Sequence, residues 1–330
     1  MKTFSFVAAG LIALATLPAM AETNLRIASE EGFADPPKVA AQSALQYIEA
    51  ELPKATNGEV TVTLYPNGAL GTEKELIKAV ADGTVDAIVL SVGNAASIVP
   101  EVQLFSASYL FESYDHARAT LADPAFFAAM QKIVADRNTG FQLEGIGLTG
   151  SRNYYSRTKP IATVEDLEGV KMRVMSSPTE FEVWSTLGTM PTTIPAPEIY
   201  TSLQTGVIDS AESSLPAISG SKYYEVAPYI SLTHHQYNIH LFLVSDVALA
   251  RLDEAQKAAL QETFRAAGLL EVESAIALTA KVLEDLKTLP GVQVNEVDIP
   301  AFAEKLRPIQ DKTAEELGMV PLLEMIRSFR

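Results

Sequence analysis

Apolar positions along the chain fall into short alternating runs and longer stretches of helical spacing. EVTVTLY (59–65) alternates apolar and polar residues, as a half-buried strand does, and stops at Pro66-Asn67-Gly68. LRIAS (25–29) reads as an earlier strand, and VDAIVL (85–90) is a short continuous apolar run of the kind buried parallel strands show. Asp35-Pro36-Pro37 is expected to cap a helix whose Ala41, Leu45, Ile48 and Leu52 keep helical spacing. Thr72 and Glu75 form a capping-box pair for a helix through Val80, which Asp82-Gly83 ends. The first part is therefore predicted as β-α-β-α-β with right-handed crossovers. Two helical stretches around 115–138, a strand near 141–147, a polar strand near 153–158 and VKMRVM (170–175) follow. A β-rich YNIHLFLVS (237–245) and long helices, from Asp253 to about Leu286 and from Pro300 onward, complete the pattern.

One pattern occurs twice. LIKAVADGTVDAIVL (76–90) and IYTSLQTGVIDSAES (199–213) each run helix, glycine, Val/Ile-Asp, strand, and each strand ends near a serine, Ser91 or Ser213. Two copies suggest two related lobes. No low-complexity linker separates them, so the chain is expected to cross between lobes more than once.

Composition narrows the class. The first 21 of the 330 residues, MKTFSFVAAGLIALATLPAMA, carry one positive charge, an apolar stretch too short to span a bilayer and an Ala-Met-Ala end. They read as a cleaved export signal, which leaves 309 residues (330 − 21) and a net charge near −17, since only Lys2 is lost from −16. That length suggests two domains, and that charge excludes partners that want a basic surface, such as nucleic acid or an anionic membrane. No other segment reads as a transmembrane helix. With no cysteine there is no disulfide, thiolate metal site or cysteine nucleophile.

The candidate chemistry lies mainly in the second half. In VKMRVMSSP (170–178), Val170, Met172 and Val174 share one strand face, so Lys171, Arg173 and Met175 share the other, and Ser-Ser-Pro opens a helix. An arginine at a strand's carboxyl end beside a helix start stands where open α/β sheets place ligands; an ordinary surface ion pair is the alternative. Arg152, in GSRNYYSR, could converge with it on one anion, because the guanidinium fork matches a carboxylate. GIGLTG (145–150) has the spacing of a dinucleotide fingerprint, but SRNYYSRT reads as a strand where a helix is required. His234, His235 and His240 fall in an expected strand with His235 on the face opposite the other two, which is poor geometry for a metal. A ligand hydrogen bond or a structural role suits them better. Asp209, Glu212 and Ser213 make an acidic strand end without a nucleophile motif. Phe181 and Trp184 are expected in the core, and Tyr223-Tyr224-Glu225 in a short packed helix.

The chain resembles the periplasmic solute-binding proteins of tripartite ATP-independent (TRAP) transporters, dicarboxylate type. YPNGALGTEKELI (65–77), GTVDAIVLS (83–91), PEVQLFSASYLFESYDHA (100–117), KPIATVEDLEGVKMRV (159–174), LGTMPTTIPAPEIYTSLQTGVIDSAES (187–213), KYYEV (222–226) and LTHHQYN (232–238) carry the resemblance in order. It implies a two-lobed α/β binding protein (type II-like), each lobe a mixed sheet flanked by helices, with a long hinge-spanning helix. The expected division is lobe 1 over 22–149 plus about 239–278 and lobe 2 over 150–238 plus about 279–330. It further implies a periplasmic, non-enzymatic protein without cofactor that closes over a small organic acid and delivers it to TRAP membrane subunits. By the same resemblance Arg173 clamps the substrate carboxylate, with Arg152 as second arginine, Ser213 in place of the family's asparagine, and His235 from its T-N-H turn. Glu30, Glu73, Ser91 and Asn94 come from the other lobe, and Met175 completes the set. Ala196 replaces a common aromatic residue, so one wall is expected to be wider. Glu30 disfavours a second carboxylate, which points to a hydroxylated monocarboxylate; the alternatives are an amino- or amidino-bearing acid or a dicarboxylate as ligand, or an exported enzyme on the same scaffold.

Overall fold

The computed structural model describes residues 23–34 and 39–329. The expected signal segment and the Asp35-Pro36-Pro37 cap lie outside the described residues. The first half runs β1 (Thr23–Ser29), α1 (Ala40–Ala55), β2 (Val60–Tyr65), α2 (Glu73–Ala81), β3 (Ala87–Ser91), α3 (Val92–Ala95), α4 (Tyr114–Ala122), α5 (Pro124–Ala135) and β4 (Phe141–Ser156). The second runs β5 (Lys171–Val174), α6 (Pro178–Thr186), β6 (Met190–Thr193), α7 (Ile199–Thr205), β7 (Ser210–Ser214), α8 (Leu215–Gly220) and β8 (Tyr229–Ser245). Then come α9 (Asp246–Leu249), α10 (Glu254–Thr288), β9 (Gln293–Glu296), α11 (Ile299–Leu317) and α12 (Val320–Arg327).

The strands form one sheet in the order β2-β1-β3-β8-β4-β7-β5-β6, with β9 added beside β8. The order is the same read from either end: β1 is parallel to β2 and β3, β5 to β6 and β7, and β3 and β7 each meet a long strand antiparallel. The repeated Val/Ile-Asp pattern has a physical reason in this symmetry. Asp86 accepts the backbone N–H of Arg26 in the middle of β1, and Asp209 that of Lys171 at the start of β5, each beside a basic side chain.

The strands expected near 141–147 and 153–158 are one continuous β4, because GIGLTG stays extended. A Cβ on Gly145 would lie 2.5 Å from the Phe264 carbonyl oxygen, and one on Gly268 2.2 Å from that of Ile146. These glycines let the long α10 pack backbone-to-backbone on β4, so they serve helix–strand contact and not a phosphate. β4 and β8 pair along both halves, with register shifts near Leu148–Ser151 and Arg152–Tyr154 that mark the passage between lobes.

Apolar side chains gather on both sides of that passage. Leu25, Ile27, Leu45 and Phe264 form one cluster of the first lobe; Leu76, Phe105, Phe126 and Leu143 form another. In the second lobe, Tyr155, Leu203 and Ile230 pack together, as do Met172, Val174 and Trp184. The expected second-lobe segment 279–330 divides at its end. Phe302, Leu306 and Ile309 of α11 join Trp184, whereas Ala314 and then Leu322, Leu323 and Ile326 of α12 join Phe105. The two ends of the C-terminal helices therefore present apolar residues to different cores. Phe181, expected in the core beside Trp184, is 48% exposed; α6 buries Val183 and Trp184 and turns Phe181 to solvent.

Candidate functional site

Carboxyl ends of strands from both lobes converge on one cavity of ≈ 170 Å³. β1 delivers Glu30, β3 Ser91, β5 Arg173 and β7 Ser213, the position at which open α/β sheets bind ligands. Cavities of about 150 Å³ accept a six-carbon ring, which sets the size of guest.

Arg173 is 4% exposed, flanked on β5 by the core residues Met172 and Val174. Its Nε donates to the Ile194 carbonyl at 2.8 Å, and no carboxylate among the described residues forms an ion pair with it. A buried guanidinium without an ion-pair partner is costly, so this is the positive pole of the cavity, with Glu30 and Glu180 near enough to feel its charge.

Arg152 also lines the cavity but is differently engaged. Its Nε and Nη2 grip the Glu212 carboxylate, the second at 2.6 Å, and Nη2 also donates to the Glu212 carbonyl at 2.9 Å. Burial opposes the Glu212 charge, but Arg152 and His235 outweigh it and hold the carboxyl down to about 2. The expected second clamp therefore has most of its fork committed inside the protein.

His235 does not line the cavity. Its Nδ1 faces Thr233 Oγ1 at 2.8 Å, its Nε2 lies 3.4 Å from Glu212, and its ring meets Trp184 edge-on. The physical reason is that its face of β8 packs on Glu212 and Trp184, opposite the face that carries Asn238 and His240, while beside it the strand is irregular, with His234 at φ +43°. His235 thus stands behind Glu212 as support rather than beside a ligand.

Opposite Arg173, Glu73 accepts from Ser91 N at 3.2 Å, Ser91 Oγ at 3.0 Å and Asn94 Nδ2 at 2.5 Å. Met175 reaches across from the second lobe, its Sδ 3.7 Å from Ser91 Oγ, and a Cβ on Gly93 would meet its Cε at 2.6 Å. Burial, with Glu73 adding repulsion, pushes the Glu30 carboxyl up to about 7. Burial and Glu212 do the same to Glu180, which accepts the Met175 N–H at 3.1 Å. The cavity is therefore polarised: a bare guanidinium at one end, carboxyls and amide or hydroxyl groups at the other.

Of the nine residues expected at the site, the structure brings together Arg173, Arg152, Ser213, Glu30, Glu73, Ser91, Asn94 and Met175, and leaves His235 outside. Sequence reasoning missed Glu31, Thr149 and Asn238 as lining residues, left His240 between a ligand hydrogen bond and a structural role, and gave Tyr223 only a packing role. The last stacks on Tyr155 at 5.4 Å and donates to the Ala196 carbonyl at 3.4 Å, so an aromatic wall stands beside the position where Ala196 removes one. Asn238 and His240 had a signal in the strand period of YNIHLFLVS, two residues apart on one face. Among the described residues no group of side chains could hold a metal ion, and no helix is long and apolar enough to cross a membrane.

Residues 33–317 match the family model described as bacterial extracellular solute-binding protein, family 7. The chain is 30% identical to the uncharacterized protein YiiZ of Salmonella typhimurium, covering 97% of this chain and 98% of that one. It is 27% identical to the 2,3-diketo-L-gulonate-binding periplasmic protein YiaO of Escherichia coli, covering 92% and 90%. A TRAP periplasmic solute-binding protein from Sulfitobacter sp. NAS-14.1, solved with bound α-D-taluronate, superposes with a TM-score of 0.86 at 29% identity, covering 92% of this chain and 97% of that one.

Proposed function

Because this chain belongs to the bacterial extracellular solute-binding proteins of family 7, we propose that it captures a polyhydroxylated monocarboxylic acid outside the cytoplasm and hands it, unchanged, to TRAP membrane subunits. The observation that carries this reading is Arg173: buried, without an ion-pair partner among the described residues, and facing a cavity the size of a six-carbon acid. A carboxylate entering there gains a charge-assisted bond to a preorganised donor, and closure of the lobes strengthens it by excluding water. The opposite end, rich in carboxyls, repels a second carboxylate and accepts hydrogen bonds from hydroxyls. The relatives support the same class, since a diketogulonate and a taluronate are both sugar acids. Export through a cleaved signal and a periplasmic location belong to this proposal.

Isothermal titration with D-glucuronate, D-galacturonate, D-galactonate and D-erythronate tests it directly. At least one is expected to bind and to be recovered chemically unchanged after denaturation of the protein. A ligand at a hundredfold excess over Kd raises stability by about 2.7 kcal/mol, visible as a higher melting temperature. Arg173→Lys keeps the charge but loses the planar fork, and a drop in affinity of roughly tenfold or more is expected. Wild-type affinity in that variant, or binding of none of the acids, overturns the reading.

A further inference from the structure

Asn238 and His240 lie two residues apart on β8, so their side chains share a face, and both line the cavity. Asn238 is 5% exposed: its Nδ2 donates to Thr149 Oγ1 at 2.8 Å, while its Oδ1 is buried without a partner among the described residues. His240 is 1% exposed: its Nδ1 faces Glu271 Oε1 at 2.9 Å, and its buried Nε2 makes no hydrogen bond, standing 3.8 Å from Glu31. Buried polar atoms in native proteins are almost always paired. Two orphans side by side on a cavity wall mark where a guest completes the network.

We propose that Asn238 and His240 form a hydroxyl-reading pair, in which Asn238 Oδ1 accepts from, and His240 Nε2 donates to, hydroxyl groups along the bound acid, with Glu271 as the positioning residue that keeps His240 a donor. This deepens the sugar-acid reading and rests on it. The argument is one of elimination by charge. A second carboxylate would face Asn238 Oδ1 together with Glu31 and Glu73. An ammonium group would face the His240 imidazolium. A hydroxyl both donates and accepts, so it satisfies the two atoms at once, and it does so whichever end of the Asn238 amide it meets.

Glu271 makes His240 a donor at Nε2. It is wholly buried on α10 and reaches the imidazole past Gly147, where a Cβ would lie 1.8 Å from its Oε2. Burial opposes the imidazolium, but Glu271, with Glu31 and Glu73 adding to it, outweighs burial and lifts His240 to about 9. At neutral pH both ring nitrogens therefore carry protons, one held by Glu271 and one presented to the cavity.

The test pairs each hydroxylated acid with its bare counterpart of equal chain length: D-galactonate against hexanoate, D-erythronate against butyrate. Asn238→Val removes the acceptor. In His240→Gln, Glu271 claims the amide NH₂ and an acceptor is left facing the cavity. Each variant is expected to lose roughly tenfold or more of the ratio between the affinity for the hydroxylated acid and that for its bare counterpart, so discrimination collapses. Glu271→Gln, nearly isosteric, supplies a readout that a merely structural role would not move. With the new amide donating to Nδ1, a neutral His240 keeps its Nε2 proton, so the variant's affinity for the hydroxylated acid is expected to stay level from pH 7 to 10, whereas the wild type weakens as pH rises through 9. Folding of each variant is checked by its melting temperature. If the wild type binds hydroxylated acids and the variants keep its discrimination and pH profile, the hydroxyl pair is wrong and the sugar-acid reading stands. If the wild type binds none of them, both fall.

Discussion

Two arginines of similar burial do different work because of what stands beside each. Arg152 has Glu212 across β4 and β7, so its charge is balanced within the protein; Arg173 has no ion-pair partner among the described residues, which leaves it free for the proposed ligand. The chemical types at both positions were legible in the sequence, but the pairing was not, since Glu212 meets Arg152 only through strand register 60 residues away. Glu212→Gln keeps the shape and removes the counter-charge, leaving Arg152 buried and unpaired. A loss of roughly 3–5 kcal/mol in urea unfolding is expected, the cost typical of breaking one side of a buried pair. Unchanged stability would mean that Arg152 finds another partner and that the proposed division of labour between the arginines is wrong.

At the scale of elements, the readable features were local ones. The Thr72–Glu75 box starts α2 as expected, with Thr72 N–H donating to Glu75 at 2.8 Å, and Gly83 follows its end at φ +78°. Cap chemistry is complete within one turn of chain, so one sequence suffices to see it. GIGLTG was misleading for the opposite reason: its glycines answer to α10, more than a hundred residues later, and nothing near them in sequence says so. The strand period kept His235 on the face away from His240, as the structure has it; it was the family resemblance that placed His235 at the site. Gly268→Ala tests the helix–strand reading. Its Cβ would meet the Ile146 carbonyl, which is backbone and has nowhere to go, so α10 must lift from β4. A loss of about 1–3 kcal/mol is expected from denaturation, against a gain of about 1 kcal/mol from helix propensity alone. A net stabilisation would show that the helix does not pack on bare backbone there.

At the scale of the whole molecule, the same buried groups that shape the cavity set how stability responds to pH. Glu212, held at about 2 against an ordinary 4.5, stabilises the fold above pH 4.5, and that contribution is lost as pH falls toward 2. Glu30, Glu144 and Glu180, all pushed up to about 7 chiefly by burial, act with the opposite sign. The folded chain holds their protons more tightly than the unfolded chain, so stability declines as pH rises from 4.5 through 7. His240, raised to about 9 from 6.5, stabilises fully below pH 6.5 and loses that contribution as pH rises through 9. His234 and His235, lowered from 6.5 chiefly by burial, cost stability as pH falls below 6.5, so the opposing contributions leave a maximum between about pH 5 and 6.5, with a decline on both sides. Urea unfolding from pH 3 to 9.5 is expected to show a maximum on the acidic side of neutrality, and Glu30→Gln is expected to flatten the descent between pH 5 and 7. A maximum at pH 8 or above would mean that these carboxyls are not buried as charges-in-waiting, and that the cavity's acid end is wetter than its geometry implies.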